Sequence, residues 1–229
     1  MNSSSGLPIL GTCLVLVAGV LVVVLSFHEP GDAPSGPRWQ RPSRASQLEL
    51  LPLQAGDLVL LGASLVEHGE WGELLPEHRP RNRGLAGDKV ADVLARLDPI
   101  LEAGPRAVFV MVGLNDVLSG RSAEEIERDH RRLASRFAEQ APGTRLVFMS
   151  LLPVRREGED GVAANAAIDV VNAGLARVAA EEGCELLDLA AAFRDDAGQL
   201  RADLTVDGIH LTGPGYLLWR DVLVVGGWL

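Results

Sequence analysis

Four short strand-like runs, separated by helix-type segments, constrain this chain more than any other feature. They are Leu58–Leu61, Ala107–Val112, Arg145–Ser150 and Glu185–Leu189. Between them lie Val90–Leu101, Ser122–Gln140 and Asn165–Glu182, and a last helical segment covers Thr212–Val224. Ser122–Gln140 places Ile126, His130, Leu133, Ala134 and Phe137 on one stripe and opens with a capping box, Ser122 to Glu125. Asn165–Glu182 repeats the pattern with Ile168, Val171, Leu175 and Val178. Continuous apolar strands alternating with such helices need a parallel sheet covered on both faces. A short extended piece at Arg81–Arg83 supplies a fifth strand. The expected fold is a three-layer α/β/α domain around a five-stranded, mostly parallel sheet.

That domain is expected over 48–229. Ahead of it, a short tail (1–6) precedes 7–27, which has no charged residue and a Val/Leu-rich centre. Such a length matches a bilayer's hydrocarbon core of about 30 Å. A cleaved signal peptide would have a basic start and a small-x-small site. Met1–Gly6 has no Lys or Arg, and Val24-Leu25-Ser26-Phe27 is a poor cleavage site. The expectation is an N-terminal transmembrane helix, a single-pass anchor. Residues 28–47, rich in Pro, Gly and Arg, read as a tether. Counted strictly, Arg38, Arg41 and Arg44 would keep the domain cytoplasmic. All three lie more than ten residues past the span, so the side stays open, with a lean to the extracytoplasmic one.

Net charge is −10, and no acid or base precedes His28, so the folded part is acidic. That excludes a phosphate-backbone partner and so nucleic acid. Cys13 lies in the apolar segment and Cys184 at the start of a strand, with no zinc-type spacing. Oligomeric state has no sequence signal.

Four segments follow strands or precede helices, where open α/β sheets gather their chemistry. They are Gly62-Ala63-Ser64, Gly84-Leu85-Ala86-Gly87-Asp88, Gly113-Leu114-Asn115-Asp116 and Asp207-Gly208-Ile209-His210. Each has an ordinary explanation. Ser64 with Glu67 is a capping box, Gly87-Asp88 a turn and cap, Asn115-Asp116 and Asp207-Gly208 turn dipeptides, and His210 a buried histidine. Together, in this order, they make a serine nucleophile with its support. Serine is a weak nucleophile and needs a base in hydrogen-bond reach. Imidazole titrates near neutrality, which suits His210. Asp207 would fix the imidazole's tautomer and stabilise its cation. The backbone N–H groups of Ser64 and Gly87 and the amide of Asn115 are the candidate donors to an oxyanion.

The four blocks resemble the SGNH (GDSL-type) hydrolases through Ser64, Gly87, Asn115 and His210, with Asp207 three residues before the histidine. The stretches Gly-Ala-Ser-Leu-Val-Glu-His-Gly-Glu-Trp, Asn-Arg-Gly-Leu-Ala-Gly-Asp and Val-Gly-Leu-Asn-Asp are most similar to the acetylhydrolase-type esterase/lipase branch. One departure is Ala63, where the family carries a supporting Asp. The resemblance implies a flavodoxin-like sheet, no cofactor and hydrolysis of carboxylic esters through an acyl-enzyme on Ser64. It also implies a small acyl group, such as acetyl on a sugar or lipid, or a lysophospholipid-type ester. Thioesterase or acyltransferase activity, and a non-catalytic binding module on the same fold, are the alternatives. The α/β-hydrolase elbow, Gly-x-Ser-x-Gly, is absent because residue 66 is Val. His68, Glu70 and His78 have no metal-ligand spacing, and His130 reads as structural. The run Leu217-Leu218-Trp219 and Val222–Val225 is expected to pack on the domain's own sheet.

Overall fold

The structure, a computed structural model, describes residues 13–17, 20–24 and 40–229, with side chains from 41. The chain divides into two compact units, Met1–Ser35 and Gly36–Leu229. In the first, β1 (Cys13–Val17) pairs antiparallel with β2 (Val20–Val24), from Cys13 opposite Val24 to Val17 opposite Val20. The transmembrane helix expected over 7–27 is therefore not what its described residues form, and its remainder lies outside them. A Val-rich run carries no periodic polar residues to separate helix from strand, and β-branched side chains favour the extended form.

The second unit begins with α1 (Gln40–Leu50), inside the segment read as a tether. Pro42 falls in its first turn, where no intrahelical N–H is required. Then follow β3 (Leu58–Gly62), α2 (Ser64–Glu67), α3 (Trp71–Leu74), β4 (Arg81–Gly84), α4 (Val90–Ala95) and α5 (Asp98–Ala103). The second half runs β5 (Ala107–Met111), α6 (Leu114–Leu118), α7 (Ala123–Gln140), β6 (Arg145–Met149), α8 (Gly158–Glu182), β7 (Glu185–Leu187) and α9 (Ala190–Phe193). A 3₁₀ turn (Ala202–Leu204) and α10 (Gly213–Val225) complete it.

The five strands are ordered β4-β3-β5-β6-β7, and every neighbouring pair is parallel. This is the flavodoxin-like order. All residues of β3 and β5 are buried, as a sheet covered on both faces requires. One helical layer gathers α4, α5, α7 and α8, and α10 packs with α3 and α9 in the other. The α7 stripe is buried at Ile126, His130, Leu133, Ala134 and Phe137.

Two boundaries differ from the sequence pattern for local reasons. The helix expected over 90–101 is split after Ala95, because Pro99 has no N–H to bond the Ala95 carbonyl of a continuous helix and its ring would crowd that carbonyl; Pro99 sits instead in the first turn of a new helix. Helix α8 begins at Gly158 rather than Asn165, its low-propensity glycines at 158 and 161 offset by Glu159 and Asp160 at the positive end of the helix dipole. By length and apolarity α8 would also suit a membrane, but Ile168, Val171, Leu175 and Val178 are buried in the domain core. The C-terminal run packs in part: Trp219 and Leu223 are fully buried, with Trp219 edge-on to Trp71 at 4.9 Å, while Leu217, Val224 and Val225 are exposed.

Candidate active site

The parallel register sets Gly62, the last residue of β3, beside Gly84 of β4 and Met111 of β5. A Cβ at Gly62 would lie 2.2 Å from the Met111 carbonyl oxygen, so the close approach of these strand ends requires glycine. Ser64 follows two residues later, Gly87 three residues after Gly84, and Asn115 four residues after Met111. Strand pairing thus brings three of the four blocks to one edge.

Ser64 is the first residue of α2, and its side chain does not cap that helix. Its Oγ lies 3.0 Å from Nε2 of His210. Glu67 does not reach back to Ser64 either; its carboxylate accepts the Ala86 N–H at 2.5 Å, next to Gly87. The amide nitrogen of Asn82 donates to the carbonyls of Val66, Glu67 and Gly69 at 3.0, 3.0 and 3.2 Å. Tyr216 donates its hydroxyl to the Leu65 carbonyl at 3.0 Å, and burial pushes its phenol pKa up. Where the family's supporting Asp is absent, the Ala63 carbonyl simply accepts the Glu67 N–H at 2.9 Å. The turn is instead held by side chains from β4 and α10.

His210 arrives from the opposite side of the chain on a turn that its own aspartate builds. One oxygen of Asp207 accepts the backbone N–H groups of Ile209 and His210 at 2.9 and 2.7 Å. The other faces Nδ1 of His210 at 2.6 Å. Partial burial opposes charge on Asp207, but the bonds from the imidazole and the two N–H groups outweigh it and hold the pKa at about 2. Gly208 has φ of +83°, and a Cβ there would meet the Arg155 carbonyl oxygen at 2.1 Å. Thr205 closes the turn, accepting the Gly208 N–H at 3.0 Å and donating to the His210 carbonyl at 2.8 Å. His68 lies beside the pair, its ring centroid 5.3 Å from that of His210. Burial, then the neighbouring His210, lowers its pKa.

Asn115 sits in α6, behind Gly113, whose φ of +124° turns the chain out of the sheet. Its amide nitrogen donates to the Asp88 carbonyl at 2.9 Å, and its second N–H has no acceptor among the described residues. Gly87 has φ of +82° and carries no Cβ to obstruct its N–H. Asp88 is fully buried, and Nε of Arg96 meets one of its oxygens at 2.7 Å. The same arginine donates to the carbonyls of Gly62 and Arg83 at 3.1 and 2.9 Å, joining the nucleophile strand to the Gly87 loop. Burial raises the Asp88 pKa against the opposing charges of Arg96 and Arg41. His130 is wholly buried, its ring nitrogens 2.9 and 3.2 Å from the Ile126 and Val112 carbonyls.

Ser64, His210 and Asp207, predicted as site residues, therefore form one connected chain of side chains, and Gly87 and Asn115 are linked through Asp88. Glu67, Asn82, Arg96 and Tyr216 carry no sequence signal for their supporting roles, since their bonds reach residues from 8 to 151 positions away.

A hydroxyl, an imidazole and a carboxylate are joined in that order at the carboxyl edge of a parallel sheet, an arrangement similar to that of serine-hydrolase sites. The chain belongs to the GDSL-like lipase/acylhydrolase family, whose model matches residues 56–218. It is 24% identical over 196 residues to platelet-activating factor acetylhydrolase IB subunit alpha2 of Homo sapiens, covering 82% of this chain and 83% of that one. It is 31% identical over 131 residues to N-acylneuraminate cytidylyltransferase of Streptococcus agalactiae serotype V, covering 57% of this chain but only 30% of that protein. Its fold is similar to that of Axe2, an acetylxylan esterase from Geobacillus stearothermophilus, with a TM-score of 0.61, 20% identity, and coverage of 76% of this chain and 94% of that one.

Proposed function

We propose that the protein is a serine esterase that transfers the acyl group of a carboxylic ester to Ser64 and then to water. The observation that carries this reading is the chain from Ser64 Oγ to His210 Nε2 at 3.0 Å and from His210 Nδ1 to Asp207 at 2.6 Å. His210 takes the Ser64 proton as Oγ attacks the ester carbonyl, and Asp207 keeps the other ring nitrogen protonated. The tetrahedral oxyanion is held by the N–H groups of Ser64 and Gly87 and by the Asn115 amide. His210 returns its proton to the leaving alkoxide. Water, deprotonated by the same imidazole, then releases the acid from Ser64.

A short acyl group, such as acetyl on a sugar or a lipid, is the proposed substrate class. It is supported by the acetylhydrolase relative and by the acetylxylan esterase with the same fold. We also assign 7–27 as a membrane anchor. Its support is the sequence, an uncharged stretch of bilayer-spanning length. An isolated two-stranded ribbon would leave backbone groups unpaired in lipid, so a membrane would favour helix in this stretch. A reporter fused after Leu229 identifies the side on which the domain lies.

The testing experiment measures hydrolysis of p-nitrophenyl acetate, butyrate and octanoate by the full chain and by Ser64→Ala and His210→Ala. Acetate turnover abolished by both substitutions is expected. Turnover indifferent to both would refute the mechanism, and no turnover of any ester or thioester would favour a binding module.

A further inference from the structure

Arg41 belongs to α1, ahead of the matched family region, and nothing in the ester chemistry described above uses it. Its side chain is 45% exposed, yet its guanidinium reaches the loop that carries Gly87. Nη1 donates to the Ala86 carbonyl at 2.7 Å. The same nitrogen lies 2.7 Å from the Asp88 oxygen that Arg96 leaves free, a charge contact with its N–H directed at Ala86. One cation therefore touches the residues on both sides of Gly87. The atom Arg41 Nη1 also lies 3.7 Å from the position a Gly87 Cβ would occupy, so it flanks the loop without filling it.

Asp88 connects this contact to the rest of the edge. It is fully buried, and a buried carboxylate needs partners for its charge. Arg96 supplies one and Arg41 the other. The Asp88 backbone carbonyl accepts the Asn115 amide at 2.9 Å. A shift of the 86–88 segment would therefore move the Gly87 N–H and turn the Asn115 side chain as well. On the opposite side Glu67 holds the Ala86 N–H. The Ala86 peptide units are thus held by a carboxylate from α2 and a guanidinium from α1.

We infer that Arg41 is a positioning residue for the oxyanion-binding loop, holding Gly87 and Asn115 in register with Ser64 through Ala86 and Asp88. This rests on the proposed roles of Ser64, Gly87 and Asn115. It makes α1 a working part of the esterase, although the family resemblance begins after it. The expected cost is smaller than loss of an oxyanion donor, which is about 10²–10³-fold, because Arg96 and Glu67 continue to hold the loop. About tenfold in kcat is expected, with KM unchanged, since a group that acts on the transition state alone leaves ground-state binding intact. Lysine at this position keeps a single cationic nitrogen near both oxygens, so it should restore most of the rate.

The test uses the full chain in detergent with p-nitrophenyl acetate, comparing native protein, Arg41→Ala, Arg41→Lys and, as a remote control, Arg220→Ala. Arg220 pairs only with its neighbour Asp221 among the described residues. A roughly tenfold fall in kcat for Arg41→Ala, an unchanged KM and recovery to within threefold in Arg41→Lys are the expected results. A kcat for Arg41→Ala within twofold of native would overturn the inference. So would a loss confined to KM, which would make Arg41 a substrate contact, and so would equal losses in the alanine and lysine variants. Ser64→Ala, run alongside, separates the two levels. If it retains full activity, the catalytic reading fails; if it is inactive while Arg41→Ala is unaffected, only the role of Arg41 fails.

Discussion

Replacing Asp207 with asparagine isolates the electrostatic part of the site from its architecture. In the native turn one carboxylate oxygen accepts the N–H groups of Ile209 and His210 at 2.9 and 2.7 Å, and the other faces His210 Nδ1 at 2.6 Å. The two backbone donors dictate the amide's orientation: its oxygen must stay with them, so its NH₂ group faces the imidazole. A donor opposite Nδ1 favours the tautomer with the proton on Nε2, which points at Ser64 Oγ 3.0 Å away. That nitrogen can then no longer take the serine proton. In a buried triad the same change costs about 10⁴-fold in kcat. The Asp207 side chain is 49% exposed, so water competes for the imidazole and screens the charge. The expected loss is about 10³-fold, or about 4 kcal/mol of barrier. The assay is kcat for p-nitrophenyl acetate at neutral pH, with circular dichroism and thermal melting to show the turn intact. Asp207→Ala, which also removes the acceptor for two backbone N–H groups, should lose stability as well as rate. An Asp207→Asn variant within tenfold of native activity would refute the tautomer reasoning.

Other substitutions report on separate parts of the same edge. Asn115→Ala should lower kcat by about 10²–10³-fold with little change in KM, measured on the same ester. Gly208→Ala should lose activity and melting temperature together, because its Cβ meets the Arg155 carbonyl oxygen at 2.1 Å and its φ is +83°. Stability should fall on mild acidification. Burial lowers the pKa of His130 and of His68 below the ordinary 6.5, so the unfolded chain binds more protons, and stability is lost as pH falls past that value. Urea unfolding at pH 7.5 and 5.5 reads this loss, and His130→Gln should reduce it. Asp207 acts in a different window. Its stabilising charge is complete above the ordinary 3.8 and is lost only as pH approaches 2, so it has no part in the loss near pH 6.

The alternation of strands and helices was legible because each strand is buried on both faces and each long helix on one, patterns a one-dimensional chain records directly. The four chemical blocks were legible because they sit at strand ends and helix starts, positions that sequence order alone identifies. The support around them was not. The same Ser-x-x-Glu pattern at Ser122 and at Ser64 has different outcomes. At Ser122 it is a true capping box, with the Glu125 N–H bonded to the serine at 3.3 Å and the Ser122 N–H to the glutamate at 3.0 Å. At Ser64 the serine turns to His210 and Glu67 turns to Ala86. Local sequence cannot separate these, because the competing partners are 146 and 19 residues away. Arg41 was concealed in the same way: a Pro/Gly/Arg-rich composition describes a tether well, and only the buried Asp88 gives the arginine a destination. The break between α4 and α5 was written in the sequence by Pro99, a local signal the pattern reading passed over.

Covalent trapping tests the central claim most directly. The full chain is treated with a fluorophosphonate, digested and mapped by mass spectrometry, alongside His210→Ala. A single adduct on the peptide containing Ser64, formed in step with loss of esterase activity and at least 100-fold more slowly without His210 (about 10²–10⁴ for a general base), is the predicted result. Complete loss of activity with the adduct on another residue, or rapid labelling of Ser64 in His210→Ala, would contradict it.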